Sequence, residues 1–303
     1  MNVFTFLFVV CLYALYHLFE AYTDISIEQQ LAFSSIVILA FGIPHGAIDH
    51  VLFFKKNQVS QLKFYGAYFG LIVLFLVGWV FEPFWSFVFF LILSAFHFGE
   101  SQLNDLTLKR TLQRPFLFLT WGLTLLLSLI YFNADELTSY TAYFSDTEGF
   151  QAVYQHPFLS GAFVMFNVLT IGMLVVFPKK ESFNWNRLGG ELFLMGLIHL
   201  TFYLFPFIIG FTMYFVVLHS LHVMSQEFKF LRKEDVRFTA ADFLKLLMPY
   251  SVLSIFFTVI TLWLSYIDVI PISIPLLALI IISTITLPHA VVMHLFYKQT
   301  EMR

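Results

Sequence analysis

The stretch from residue 270 to residue 297, IPISIPLLALIIISTITLPHAVVMHLFY, contains no Asp, Glu, Lys or Arg. A helix needs roughly 17–25 mostly apolar residues to cross the hydrocarbon layer of a membrane, and this stretch is long enough. Pro288 lies within it and permits a bend, because proline removes a helical hydrogen bond. The stretch also carries His289 and His294, and imidazoles inside a hydrocarbon layer are costly and usually functional.

The rest of the chain has the same apolar character. It is 59% hydrophobic and 12% charged, whereas soluble domains contain about 25% charged residues. We therefore predict an all-α, polytopic integral membrane helix bundle of about ten helices that forms a single domain over residues 1–303. The one cysteine excludes an internal disulfide, and the first run lacks the basic start of a signal peptide, so we expect it to be retained. The ten predicted runs are 3–19, 30–54, 62–81, 84–103, 115–133, 157–178, 188–205, 207–228, 247–266 and 270–297.

All 16 basic residues follow even-numbered runs, and the segments after odd-numbered runs contain none. By the positive-inside rule, the basic segments and the C-terminus lie in the cytoplasm, and we assign the N-terminus to the outside. The basic residues are Lys55, Lys56, Lys63, Lys109, Arg110, Arg114, Lys179, Lys180, Arg187, Lys229, Arg232, Lys233, Arg237, Lys245, Lys298 and Arg303.

Seven of the ten histidines lie in four short clusters on even-numbered runs. At about 1.5 Å of rise per residue, His45 and His219 each lie roughly 15 Å below the lysine that follows ten residues later. His289 lies nine residues before the next lysine, and His97 lies eight residues before Asp105. Four helices thus place an imidazole in one layer, which predicts a metal site. The clusters are Pro44 to His50, Phe96 to Glu100, His219 to His222 and Pro288 to His294.

The types of side chain available as ligands limit which metals can bind. Without a thiolate cluster, zinc–thiolate and iron–sulfur sites are excluded, and an all-imidazole set suits iron, copper or zinc. His219 and His222 are three residues apart and share a helix face. The second histidines of the other two pairs, His50 and His294, are five residues from the first, so we expect them to have interfacial or hydrogen-bonding roles.

Carboxylates near the predicted site have two interpretations. Metal-bound histidines usually donate their second N–H to a carboxylate or a carbonyl. Asp49 and Glu100 lie within about one turn of His45 and His97, so we expect them to orient those ligands. Glu100, like Glu227, is equally compatible with a solvated helix end.

These motifs resemble those of the Brp/Blh family of bacterial and archaeal β-carotene 15,15′-dioxygenases. The family carries a Pro-His-Gly-Ala-x-Asp element, a His-Phe-Gly element, a His-Ser element and a late Pro-His, in this order. The chain has them at Pro44 to Asp49, His97 to Gly99, His219-Ser220 and Pro288-His289. The order, the spacing and the chain length agree, so the resemblance covers nearly the whole chain.

The resemblance implies Fe(II) bound by four histidines. Three of them are His45, His97 and His219. Some members have a fourth histidine four residues after the His-Ser histidine, but Val223 occupies that position here. Either His222 or His289 completes the set: the depth estimate favours His289, and proximity in sequence favours His222.

The resemblance also implies the reaction, which is central cleavage of β-carotene with O₂ to two molecules of all-trans-retinal. The expected setting is the lipid bilayer of a bacterial inner membrane, with a rhodopsin as user of the retinal and no role for nucleic acid. Aromatic and apolar side chains near the histidines are candidates to hold the polyene in register. The candidate substrate-binding residues are Phe96, Phe98, Phe211, Tyr214, Phe215 and Met293.

Three other classes of membrane protein are alternatives. A desaturase or hydroxylase with histidine boxes usually has adjacent His-His pairs, and this chain has none. A non-enzymatic haem-binding protein would use axial histidines on facing helices, such as His45 with His219 or His97 with His289. A Soret band would identify the second class. The third of them, a transporter with a histidine proton relay, would keep its activity after removal of metal.

Overall fold

The computed structural model describes residues 3–21, 25–106, 108, 110, 112–178 and 184–300. Lys109, Lys179, Lys180 and Arg303, which entered the orientation argument, lie outside these ranges. The described residues form helices and contain no β-strand. The α-helices are α1 Val3–Ala21, α2 Ile27–Val37, α3 Asp49–Lys56, α4 Gln61–Phe81, α5 Pro83–Leu103, α6 Gln113–Phe132, α7 Ala134–Tyr143, α8 Gln151–Tyr154, α9 Leu159–Val176, α10 Trp185–Leu204, α11 Phe207–Met213, α12 Leu221–Glu234, α13 Ala240–Tyr266 and α14 Ile274–Thr300.

The helices confirm the predicted all-α polytopic architecture. Within the described ranges, nine helical segments are long and apolar enough to cross a membrane. The predicted run 188–205 forms α10 but is not apolar enough to be counted among them. Helix α10 also contains an ion pair, which joins Arg187 to Glu191 at 3.2 Å. The nine segments are Val3–Glu20, Ile27–Lys55, Gln61–Phe81, Pro83–Leu103, Gln113–Phe132, Leu159–Val176, Phe207–Glu234, Ala240–Tyr266 and Ile274–Lys298.

The helices group into two compact units. That the chain forms a single domain stays our prediction. The first unit contains α1, α2, α10 to α12 and the first part of α13. The second unit contains α3 to α9, the rest of α13 and α14. The chain passes from the first unit to the second between Ile48 and Asp49, inside the Pro-His-Gly-Ala-x-Asp element.

The first unit contains two departures from α-helical geometry. A capping box at Ser26 starts α2, but Pro44 cannot donate a helical hydrogen bond, and the chain continues as a π-helix, Ile38–Gly42, and a 3₁₀ turn, Ile43–Gly46. A second π-helix, Tyr214–Ser220, joins α11 to α12. We call these the first and second π segments. The Ser220 hydroxyl donates to the Phe41 carbonyl and joins the two segments.

The second unit depends on a close crossing of α5 and α6. A Cβ atom at Gly99 would overlap the backbone of Phe118, and one at Gly122 would overlap the backbone of Ala95. Only glycine allows two helix backbones to approach so closely, as in small-residue contacts between membrane helices. The glycine of the His-Phe-Gly element therefore has a packing role. Helix α14 packs on α3, α4 and α5 of the same unit.

We predict that Gly99→Ala destabilises the protein by about 3 kcal/mol or more, because the added methyl must displace a helix backbone. The control is Gly66→Ala in α4, where the same methyl meets no atom within 4 Å. We expect the control to be neutral or stabilising by up to about 1 kcal/mol, since alanine favours a helix. Thermal unfolding in detergent measures both variants, and equal melting temperatures would contradict the crossing.

The spans correct one part of the predicted orientation. Two spans, Val3–Glu20 and Ile27–Lys55, precede the first basic segment. Because two crossings return a chain to its starting side, the N-terminus lies on the same side as that segment. Cytoplasmic basic segments and an outside N-terminus therefore cannot both hold. The cytoplasmic position of the basic segments stays our prediction.

We predict that alkaline phosphatase is inactive when fused after Arg110 and also after Lys233, since this enzyme matures only outside the cytoplasm. Four crossings separate these points if α10 spans the membrane, and three separate them if it does not. A fusion after Asp268 is the active control, because an odd number of crossings separates it from Lys233. Activity after Lys233 alone would show that α10 does not cross.

Candidate metal centre

The first unit brings together two of the predicted ligands, His45 and His219. Their ring centroids are 5.2 Å apart, and the ring planes are nearly perpendicular at 81°. His45 follows the first π segment, and His219 lies in the second. Irregular turns of this kind are frequent at functional sites because they turn side chains away from the regular helical register. We call these residues the first histidine pair.

Neighbouring groups orient the first pair. The Nδ1 atom of His45 donates to the Gly42 carbonyl, so the lone pair of the neutral ring lies on Nε2. The Phe215 ring lies beside both imidazoles, with its centroid 5.5 Å from His45 and 5.6 Å from His219. A Cβ atom at Gly42 would lie 2.8 Å from the Phe215 ring, so a larger residue here would displace that ring. Backbone and aromatic contacts together fix both rings.

The second unit brings together the other two deep histidines, His97 of α5 and His289 of α14. Their ring centroids are 5.0 Å apart at an interplanar angle of 80°. Each offers a ring nitrogen, and these two atoms lie within 4.8 Å of each other. Both side chains are buried, at 2% and 4% exposure. We call these residues the second histidine pair.

A buried carboxylate orients the second pair. Asp49 Oδ1 accepts a hydrogen bond from His289 Nδ1 at 2.8 Å, and Asp49 Oδ2 accepts one from the Tyr68 hydroxyl at 3.1 Å. The bond on Nδ1 leaves the lone pair of His289 on Nε2, the arrangement found in carboxylate–histidine–metal sites. From its position in the sequence we expected Asp49 to orient His45, whereas it bonds to His289. Tyr68 was missed, since its partner lies 19 residues away on another helix.

The Glu100 carboxylate is also placed differently from the expectation. It accepts a hydrogen bond from His294 Nδ1 at 2.7 Å. From the sequence we expected it to orient His97 instead. Glu100 is 3% exposed and Glu227 is fully buried. The alternative that these two carboxylates lie at solvated helix ends is therefore wrong. The bond between Glu100 and His294 joins α5 to α14 close to the second histidine pair. His294 has the hydrogen-bonding role that we expected.

His222 has different surroundings from the paired histidines. Its Nε2 atom lies 3.2 Å from the Gln226 amide nitrogen, which can donate to it, and its ring packs at 5.2 Å from Phe4. It is half-buried, whereas His219 is 2% exposed. His199 donates from Nδ1 to the Met195 carbonyl at 2.6 Å. Each of these two histidines thus has a hydrogen-bond partner on its own helix.

The six predicted substrate-binding residues divide into two groups. Phe98, Tyr214 and Met293 are buried in the cores of their units, and Tyr214 packs against Phe202. Burial at these positions is typical of core packing. The half-buried members are Phe96, Phe211 and Phe215.

A separate cavity of about 340 Å³ lies in the first unit, lined only by apolar side chains of α1, α2, the two π segments, α11 and α12. It offers no imidazole or carboxylate. It is therefore not a candidate for the metal.

The fold and these side chains define a class: an all-α polytopic membrane protein with imidazoles, one held by a carboxylate and one by a carbonyl, that suit a transition metal. Residues 36–297 match the family model described as beta-carotene 15,15'-dioxygenase, so the chain belongs to that family. The match confirms the family resemblance. No curated protein and no solved structure matches the chain.

We predict that Asp49→Asn weakens metal binding by roughly 10–100-fold, because the amide no longer polarises the imidazole of His289. Tyr68→Phe should weaken it less, since the carboxylate remains beside His289 and loses only one of its hydrogen-bond donors. Tyr65→Phe in the same helix is the matched control, because it removes the same hydroxyl from a tyrosine that is 38% exposed. Iron titration of the metal-free protein measures all three variants. Equal affinities for Asp49→Asn and the control would contradict the role of Asp49.

Proposed function

We propose that this protein is an Fe(II)- and O₂-dependent enzyme that cleaves β-carotene at the 15,15′ double bond and releases two molecules of all-trans-retinal. The observation that carries the proposal is the pair of buried imidazoles, His97 and His289, with a carboxylate on the second ring, in a member of this family. The proposed location is a bacterial inner membrane. A rhodopsin is the proposed user of the retinal.

We propose further that the two histidine pairs hold one iron ion. His45 of the first pair and Asp49, which holds His289 of the second pair, are four residues apart. Their Cα atoms are therefore at most about 14 Å apart, even in fully extended chain. The Pro-His-Gly-Ala-x-Asp element thus serves both pairs, which accounts for its fixed spacing.

His289 is the proposed fourth ligand. Its ring is buried beside His97, and the Asp49 bond leaves Nε2 as the donor atom. His222 is half-buried and has its Nε2 atom next to the Gln226 amide. These contacts support His289 over His222.

The reaction makes few chemical demands on the side chains. One C=C bond breaks and each of its carbons gains one oxygen atom of O₂, so no external reductant is consumed and no net proton is transferred. Bound Fe(II) would supply the activation of O₂. The chain must orient its imidazoles, exclude water and hold the polyene in register. The surroundings of the two pairs support this task, because His97, His219 and His289 are buried and the Phe215 ring lies beside the first pair.

We expect cells that make β-carotene to accumulate retinal when they express this chain, and the purified protein to hold one iron per chain. His45→Ala, His97→Ala, His219→Ala and His289→Ala should each remove most of the iron and at least 90% of the retinal. Chromatography of extracts and elemental analysis provide the two measurements. His222→Ala and His17→Ala, which changes an exposed histidine, are the controls.

Three results would contradict the proposal. Retention of iron and retinal in the four variants would reject the ligand set, and loss of iron in His222→Ala but not in His289→Ala would exchange the fourth ligand. A Soret band in the purified protein would indicate a haem protein instead. Desaturated or hydroxylated products without retinal would indicate the histidine-box class.

A further inference from the structure

Aromatic rings form a ladder on α11 and the second π segment that leads to His219. Phe207, Phe211, Phe215 and His219 follow one another at intervals of four residues. Successive ring centroids are 6.5, 5.5 and 5.6 Å apart, and the ring planes are nearly parallel, at 9°, 11° and 23°. We call Phe207, Phe211 and Phe215 the aromatic rail.

The rail is the accessible strip of its helix. From Ile209 to Ser220 every residue is buried except Phe211 and Phe215, and Phe207 at the start is also half-buried. The buried positions pack within the protein, so they cannot receive a ligand without rearrangement. A ligand that approaches His219 along this helix therefore meets three phenylalanine rings.

The dimensions and chemistry of the rail suit an extended hydrocarbon. Twelve residues separate Phe207 from His219, a length of about 18 Å along a helix. This is comparable to half of an extended C40 polyene. A polyene offers no hydrogen-bonding group, so an enzyme can hold it in register only through shape and many weak contacts with flat or apolar surfaces.

We infer that the aromatic rail binds one half of the linear carotenoid and sets which double bond is cut. This inference rests on the proposed function. Phe207 contacts the part of the substrate near the terminal ring, and Phe215 contacts the part next to the bond that breaks. The rail thereby fixes the distance between the end of the substrate and the double bond that is cut.

The end of the rail at Phe215 is held in a fixed position, which is necessary if the rail is to set the site of cleavage. The Phe215 ring packs against Gly42 and lies beside both the His45 and His219 rings in the first unit. The hydrogen bond from the Ser220 hydroxyl to the Phe41 carbonyl joins the helix of the rail to the first π segment, next to Gly42. Phe215 therefore has a fixed position relative to the first histidine pair.

The test measures where the substrate is cut. We expect Phe207→Ala and Phe211→Ala to lower kcat/KM for β-carotene on the order of tenfold, as expected for the loss of one aromatic contact. Aldehydes of unequal length should appear beside retinal, because a substrate that slides along the rail is cut off-centre. Iron per chain should stay at the wild-type value, since neither residue is a proposed ligand. Mass spectrometry of the products and elemental analysis provide these readouts.

Further variants separate the rail from general apolar packing. Phe211→Trp keeps a flat ring and should retain central cleavage, whereas Phe211→Leu keeps apolar volume without the ring and should behave like Phe211→Ala. Phe257→Ala on α13 is the matched control, because this phenylalanine is 58% exposed and lies on another helix. We expect it to have wild-type kcat/KM and products. If Phe211→Ala does not fold, Phe211→Leu gives the same comparison.

The outcomes distinguish the two proposals. A wild-type protein that makes no retinal rejects the proposed function. A wild-type protein that makes retinal, with unchanged kcat/KM and purely central cleavage in Phe207→Ala and Phe211→Leu, overturns the rail and leaves the proposed function intact. Loss of iron in the rail variants would also overturn it, because the residues would then support the metal site.

Discussion

A carboxylate buried among apolar helices is destabilising by several kcal/mol unless hydrogen bonds stabilise its oxygens. Asp49 satisfies this constraint with the Tyr68 hydroxyl on one oxygen and the His289 ring on the other. These bonds join α3, α4 and α14. They also fix which nitrogen of His289 can bind a metal. The fold of the second unit and the chemistry of its histidine pair thus depend on the same carboxylate.

The first unit reaches a similar result through its backbone. Two π segments, each next to a histidine, replace regular α-helix, and a hydroxyl of one segment bonds to a carbonyl of the other. The Gly42 carbonyl orients His45 as Asp49 orients His289. Such irregular turns cost stability in an isolated helix, and their persistence here is typical of a functional site. Both units therefore present an imidazole whose Nδ1 atom is already engaged, at His45 and at His289.

The sequence predicted the helices well because apolar length is a local property. The bend that Pro288 permits does not interrupt α14, which continues as α-helix past it, whereas the second run leaves α-helical geometry around Pro44. Tertiary pairings were less accessible to sequence analysis. His289 and Asp49 are 240 residues apart, and His294 and Glu100 are 194 apart, so no spacing rule links them. Apolar composition likewise could not separate the buried Phe98 and Met293 from the half-buried Phe211.

The most direct test of the account is the number of imidazole ligands on the iron, measured by X-ray absorption spectroscopy of the iron-loaded protein. One iron held by both histidine pairs predicts four imidazoles per metal ion. The same measurement on His289→Ala, reconstituted at high iron concentration, should give three. Two imidazoles per iron in the unaltered protein would mean that the pairs act separately, and the account of a single iron centre would then be wrong.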